Sequence, residues 1–146
     1  MRDIIFIKNS NKNNQKYIEA IPVLNHLLGR SRDAQKLYVE VSNNINDPHL
    51  SKWFLSHTAQ RDKFADELEN QIRSIGGNPV DGGTIGGALH RVWIDLKSYR
   101  TDNDLMTLLI ETEKGEQRAL EDYLEVLNHY EMPKMTRVVL KHQIEK

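Results

Sequence analysis

Three absences in the sequence narrow the range of possible functions. The 146 residues include no cysteine, which excludes disulfides, thiolate metal sites, iron–sulfur clusters and cysteine nucleophiles. The apolar run near the N-terminus covers only Ile4 to Ile7, too short for a signal sequence or a membrane span. The formal net charge is −1, so no overall field favours nucleic acid, an anionic membrane or an acidic substrate. We therefore expect a cytoplasmic protein that binds neither nucleic acid nor membrane.

The N-terminal residues differ in composition from the rest of the chain. Residues 8–16, KNSNKNNQK, are almost wholly polar, and such a composition cannot offset the entropy of ordering by burial. The remaining length is enough to bury one hydrophobic core. We assign residues 1–16 to a polar N-terminal extension and residues 17–146 to a single domain.

Two long helices are predicted in the first half of this domain, because apolar residues recur there with helical spacing. The first is predicted from Tyr17 to about Asn46. The second has Asp47 as a predicted N-cap and Pro48 at the first helical position, which is typical of a helix start. Gly76 is expected to end this helix.

The second half contains a long connection and two further helices. Residues 76–87 hold six of the eight glycines and are predicted to form a loop, followed by a short helix over Ala88–Tyr99. A third long helix is predicted to begin near residues 102–104 and to break at residues 129–132, and a fourth follows Pro133. This order predicts an all-α fold, a ferritin-like four-helix bundle with one long crossover connection carrying a short helix.

Several stretches resemble known protein families. LNHLLGRSRDAQKLY (24–38) resembles the first helix of bacterioferritin-like proteins, and RDKFADELENQIRSIGGNP (61–79) resembles their second helix. SIGGNPVDGGTIGGALHRVWIDLKS (74–98) and ETEKGEQRALEDY (111–123) more closely resemble an uncharacterised bacterial ferritin-like domain family with no settled activity. The resemblance covers roughly residues 20–143 and implies a fold without implying a reaction.

The ligands of a di-iron centre are missing from this pattern. Di-iron bundles take a Glu from each of two helices and a Glu-x-x-His from each of the other two. None of the six histidines here has a glutamate three residues before it. Matched to the metal-binding ferritins, the first helix offers Ser31, the second offers Arg61 and Phe64, and the third keeps Glu113 and Glu116. One or two acids cannot offset the charge of two irons, so we expect no metal cofactor.

Arg61 would place a permanent cation about where the match expects the metal. A buried guanidinium requires a carboxylate partner, and the predicted partner across the bundle is Glu116 or Glu113. The alternative is that Arg61 lies at the edge of the apolar stripe and reaches solvent. The other predicted members of this polar network at the bundle centre are Ser31, Gln35 and His57.

The crossover connection carries a second candidate, a ligand or contact surface formed by His90, Arg91 and Trp93. The alternative is that Trp93 anchors the short helix to the core and that His90 or Arg91 lies at a surface or subunit contact. The glycine-rich loop before it lacks the Lys-Ser/Thr pair of a P-loop, so nucleotide binding has little support.

The leading functional hypothesis is a non-catalytic protein-interaction or stress-related module, because no serine has the context of a nucleophile and cysteine is absent. Fold analogy suggests a homo-oligomer and does not identify a protein partner. One alternative is a divergent ferritin-like oxidase or iron-handling protein, binding iron or manganese through Glu113, Glu116 and a histidine such as His57 or His142. Another is a small-molecule carrier with a pocket between bundle and crossover.

Overall fold

The computed structural model describes residues 16–80 and 102–146, and in these ranges every regular element is an α-helix. The all-helical class is therefore confirmed for the described residues, and their packing is compatible with a helical bundle. None of these helices has a stretch both long and apolar enough to cross a membrane. The four helices are α1 (Ala20–Asn44), α2 (Pro48–Ser74), α3 (Asp102–His129) and α4 (Lys134–Ile144).

Two predicted segments lie largely outside this description. The N-terminal extension over residues 1–16 falls outside it except for Lys16. The short helix predicted over Ala88–Tyr99 falls outside it completely.

Both ends of α2 follow from local chemistry. The Asp47 side chain accepts hydrogen bonds from the backbone N–H groups of His49 at 2.9 Å and Leu50 at 3.2 Å, and a proline occupies the first helical position. The predicted helix start is confirmed. At the other end Gly76 has a φ of 87°, a left-handed conformation that favours glycine, and its N–H donates to the Arg73 carbonyl at 3.1 Å.

Core contacts fix the direction of α3. Leu108, near its start, clusters with Val41 at the end of α1 and Phe54 near the start of α2. Leu127, near its end, clusters with Ile72 at the end of α2. Helix α3 therefore runs parallel to α2 and antiparallel to α1. A parallel arrangement of α2 and α3 is compatible with the helical bundle that the sequence predicts.

Side-chain hydrogen bonds align α4 antiparallel to α2. Thr136, near the start of α4, donates from Oγ1 to Gln71 Oε1 at 2.8 Å. Gln143, near its end, donates from Nε2 to the Phe64 carbonyl at 3.2 Å. The C-terminal end of α4 therefore lies beside the middle of α2.

Two apolar clusters fill the described interior. The polar residues Ser31 on α1, Arg61 on α2 and Glu116 on α3 fall between the two clusters along their helices. The larger cluster joins the start of α1, the ends of α2 and α3, and α4; its buried members include Leu24, Leu28, Leu68, Ile72, Val126 and Leu140. The smaller cluster contains Leu37, Tyr38, Val41, Phe54 and Leu108.

Candidate functional site

An ion pair between Arg61 and Glu116 joins α2 to α3 at the boundary between the two apolar clusters. The Arg61 side chain is 11% exposed and the Glu116 side chain is 31% exposed. Arg61 Nη2 donates to Glu116 Oε2. The sequence predicted either Glu113 or Glu116 as the carboxylate partner of Arg61. In the structure the partner is Glu116, and Glu113 lies on the exposed side of α3.

Tyr38 on α1 completes this site, and the sequence analysis missed it. Its hydroxyl donates to Glu116 Oε1, so one carboxylate connects three helices. Burial, followed by the negative charge of Glu116, raises the pKa of Tyr38 far above its usual value, so its hydroxyl stays a neutral donor. The sequence did contain a signal for this contact: Tyr38 lies on an apolar helix face, and a buried tyrosine hydroxyl needs a hydrogen-bond partner.

Two other residues predicted for the polar network have different partners. Ser31 is buried, and its side chain interacts with the hydroxyl of Tyr123. Gln35 accepts a hydrogen bond from Arg32 through its Oε1 atom at 3.4 Å. The structure therefore places Ser31 among the polar residues between the two apolar clusters, whereas Gln35 contacts Arg32 on its own helix.

His57 lies one helical turn before Arg61 and stacks on Trp53. The two rings are 3.7 Å apart with an angle of 22° between their planes. His57 Nδ1 lies 2.9 Å from the Trp53 carbonyl oxygen. Since a carbonyl only accepts, Nδ1 is the donor in this contact. Helical spacing puts Trp53 on the face of α2 that carries Arg61 and Phe64, whereas the structure leaves Trp53 39% exposed.

A second polar contact links α3 to α4 next to the ion pair. The Tyr123 hydroxyl donates to Gln143 Oε1, and the Gln143 amide in turn donates to the Phe64 carbonyl. Burial raises the pKa of Tyr123 to about 12, despite the opposing effect of a hydrogen bond from Ser31. Gln143 thereby satisfies buried groups on α2 and α3 together.

A cavity of about 90 Å³ opens beside these contacts, between α2, α3 and the end of α4. Its polar lining includes Arg61, Glu116, His57 and Gln60. The Arg61 Nε atom is buried and has no hydrogen-bond partner among the described residues. Buried polar atoms without a partner are rare in folded proteins, and this atom has less than 1 Å² of surface towards the cavity.

The residues of this site do not suit a di-iron centre. Both carboxylate oxygens of Glu116 already accept hydrogen bonds, from Tyr38 and from Arg61. A guanidinium cannot lose its proton and repels a metal cation. Within residues 16–80 and 102–146, no group of three or more histidine or acidic side chains is placed to hold a metal ion. The donor set therefore favours an organic ion pair.

A separate ionic cluster holds α1 to α2 on the outside of the bundle. Arg32 on α1 contacts Asp62 at 2.9 Å, Asp66 at 3.1 Å and Glu69 at 2.8 Å, all on α2. The hydrogen bond to Glu69 raises the pKa of Arg32, against the opposing effect of burial. Three acids successively one turn apart on the second helix were the sequence signal for this contact.

The predicted surface on the crossover connection, formed by His90, Arg91 and Trp93, lies outside the described residues.

Comparison with known proteins identifies the family of this chain. No curated protein matches the chain. A family described as a domain of unknown function (DUF2383) matches residues 19–129, which is well over half of the chain and includes Tyr38, Arg61 and Glu116. The chain therefore belongs to the DUF2383 family.

Proposed function

We propose that this chain is a ferritin-like bundle that works without a metal cofactor and acts by binding protein chains, its own copies included, rather than by catalysis. The observation that carries the proposal is the Arg61–Glu116 ion pair. A ferritin-like oxidase needs carboxylate oxygens that are free to bind iron or manganese. Here Arg61 and Tyr38 engage both oxygens of Glu116. The stress-related role stays a prediction from the sequence.

Exposed apolar side chains on α4 support a role in protein contacts. Met135 is 63% exposed and Val138 is 51% exposed. Residues three apart on a helix lie on the same side, so these two side chains form one apolar patch. The net charge of −1 leaves little electrostatic repulsion between two copies of the chain. We therefore propose a homo-oligomer in which the outer face of α4 contacts a second copy.

Sedimentation velocity of the full chain tests the oligomer. We expect an oligomer for the wild type and a monomer for the double variant Met135→Glu/Val138→Glu, because two charges would have to be buried at the contact. The matched control is Gln117→Glu/Asn128→Glu, which adds the same two charges at exposed polar positions of α3. A monomeric wild type, or an equal loss of assembly in the control, would overturn the assignment to α4.

Elemental analysis tests the metal-free part of the proposal. The protein is produced without a histidine tag, and iron and manganese are measured in the wild type and in Glu116→Gln. We expect both metals to lie far below one ion per chain in both proteins. Stoichiometric iron or manganese in the wild type would overturn the proposal. Its loss in Glu116→Gln would favour the metal-binding oxidase.

A further inference from the structure

Helix α4 covers only one half of the face that α2 and α3 share. Its end lies beside Phe64, because Gln143 donates to the Phe64 carbonyl at 3.2 Å, and α4 ends at Ile144. Helix α2 extends sixteen residues beyond this level, back to Pro48, which corresponds to a length of about 24 Å. Within the part of the chain that the structure describes, no fourth helix accompanies α1, α2 and α3 over this length. A groove between α2 and α3 therefore continues the line of α4.

Apolar side chains line this groove. On α2, Trp53 is 39% exposed and stacks on His57, which also lines the cavity at the end of α4. On α3, Met106 is 59% exposed, and Leu109 is partly buried against the smaller apolar cluster. Leu109 lies two turns before Glu116, which lines the same cavity, so both residues lie on the side of α3 that faces the groove. Exposed apolar surface of this kind is typical of a protein contact.

The groove and the exposed patch on α4 lie on one face of the bundle, at opposite ends. The patch is beside Gln71, since Thr136 on α4 donates to it, and Gln71 lies ten residues after Arg61 on α2. Trp53 lies eight residues before Arg61. The two surfaces are therefore about 15 Å and about 12 Å from the level of Arg61, in opposite directions. A two-fold axis at this level, perpendicular to the helices, exchanges them, so that α4 of each copy meets the groove of the other.

Helical spacing on the two surfaces matches in this arrangement. The two-fold axis reverses the second copy, and its α4, which is antiparallel to its own α2 and α3, then runs parallel to α3 of the first copy. On α4 the apolar residues Met135 and Val138 are three apart, and on α3 the apolar residues Met106 and Leu109 are also three apart. Both pairs repeat on one side of their helix, so they can pack against each other in one register.

Charge favours the groove over a direct contact between two α4 helices. Helix α4 contains the basic residues Lys134, Arg137 and Lys141 and no acidic residue, so two such helices repel each other. On α3 the exposed Glu113 lies one turn after Leu109, at the edge of the groove. In the matched register it lies close to Lys141 of the second copy.

We propose that two copies form an antiparallel two-fold dimer, in which α4 of each copy docks into the groove between α2 and α3 of the other. This inference rests on the homo-oligomer proposed above and names the surface that its α4 contacts.

Sedimentation velocity of groove variants tests the docking surface. Met106→Glu changes the groove and leaves α4 intact, and we expect the dissociation constant of the dimer to rise at least about tenfold, because one charge would be buried at each of two equivalent contacts. Leu55→Glu is the matched control. Leu55 is 58% exposed and lies two residues after Trp53, so it faces away from the groove, and assembly should be unchanged. Unchanged assembly in Met106→Glu would overturn the proposal and leave the groove to another occupant, such as residues 88–99 of the same chain.

Cross-linking distinguishes this inference from the homo-oligomer itself, and the absence of native cysteine makes it clean. Met106→Cys and Met135→Cys are prepared as separate chains and treated with a short bis-maleimide, alone and mixed. We expect linked dimers in the mixture at a level at least about tenfold above a mixture of Leu55→Cys with Met135→Cys, because the two-fold axis brings unlike positions together. Linkage of Met135→Cys alone would show that two α4 helices contact each other, which overturns the groove and leaves the homo-oligomer. A wild type that sediments as a monomer would overturn the homo-oligomer as well.

Discussion

Removing the negative charge of the ion pair should destabilise the protein more than removing the positive charge, because Arg61 is more deeply buried than Glu116. Glu116→Gln keeps an acceptor for Tyr38 and leaves Arg61, with a side chain only 11% exposed, without a counter-charge. Removing one partner of a buried pair costs roughly 3 to 5 kcal/mol, and we expect about 3 kcal/mol because Glu116 is partly solvated. Arg61→Met leaves the Glu116 carboxylate 31% exposed and still bonded to Tyr38, so we expect about 1 kcal/mol.

Urea denaturation of the wild type and four variants measures these differences. The double variant Arg61→Met/Glu116→Gln should be more stable than Glu116→Gln alone, since it contains no uncompensated buried charge. Glu113→Gln is the control, an identical change at an exposed position of α3, and its effect should stay within about 0.5 kcal/mol. A loss below about 1 kcal/mol in Glu116→Gln, or a larger loss in Arg61→Met than in Glu116→Gln, would refute the reasoning.

Three further predictions concern the helix ends and the buried tyrosines. Asp47→Ala should lower the free energy of unfolding by about 1 kcal/mol in urea titrations, because two backbone N–H groups lose their acceptor; an equal loss in Asn46→Ala would contradict this. Gly76→Ala should cost about 1 to 2 kcal/mol, since φ is 87°, and an unchanged melting temperature would be the contrary result. The pKa values of Tyr38 and Tyr123 are raised in the folded protein, so their neutral hydroxyls contribute stability that is fully present below pH 10.0, the usual pKa of tyrosine. The contribution of Tyr123 is lost as the pH rises from 10.0 to about 12. Alkaline titration followed by tyrosinate absorbance should show two late groups, and simultaneous ionisation of all tyrosines in folded protein would disprove the shifts.

Local chemistry explains why parts of the fold could be predicted from the sequence. The start of α2 depends on Asp47 and the proline after it, and neither needs a distant contact to define a helix start. The end of α2 depends on Gly76 in the same way. The cost of burying an unpaired guanidinium also favoured a pairing of Arg61 with an acid on the third helix, although a solvent-facing Arg61 stayed open as the alternative.

Tertiary packing decided the rest of the site. Glu113 and Glu116 stand three residues apart, so the rotation of α3 about its own axis determines which one meets Arg61. The sequence does not show which acceptor the Tyr38 hydroxyl contacts, because a position on an apolar face does not specify which helix packs against that face. The exposure of Trp53 had the same origin, since helical spacing shows which residues share a face and leaves open what covers that face.

The polar contacts between the two apolar clusters constrain how α3 aligns with α1 and α2 along the bundle axis. Apolar side chains tolerate a slide of one helix past another, whereas a slide of one turn, about 5.4 Å, would separate Glu116 from both Arg61 and Tyr38. A single buried polar contact can select one register in this way even when it adds little net stability. A variant with apolar residues in place of Tyr38, Arg61 and Glu116 should therefore fold with several alignments of α3, and its NMR spectrum should show more than one resonance for many backbone amides. A single set of amide resonances would contradict this role.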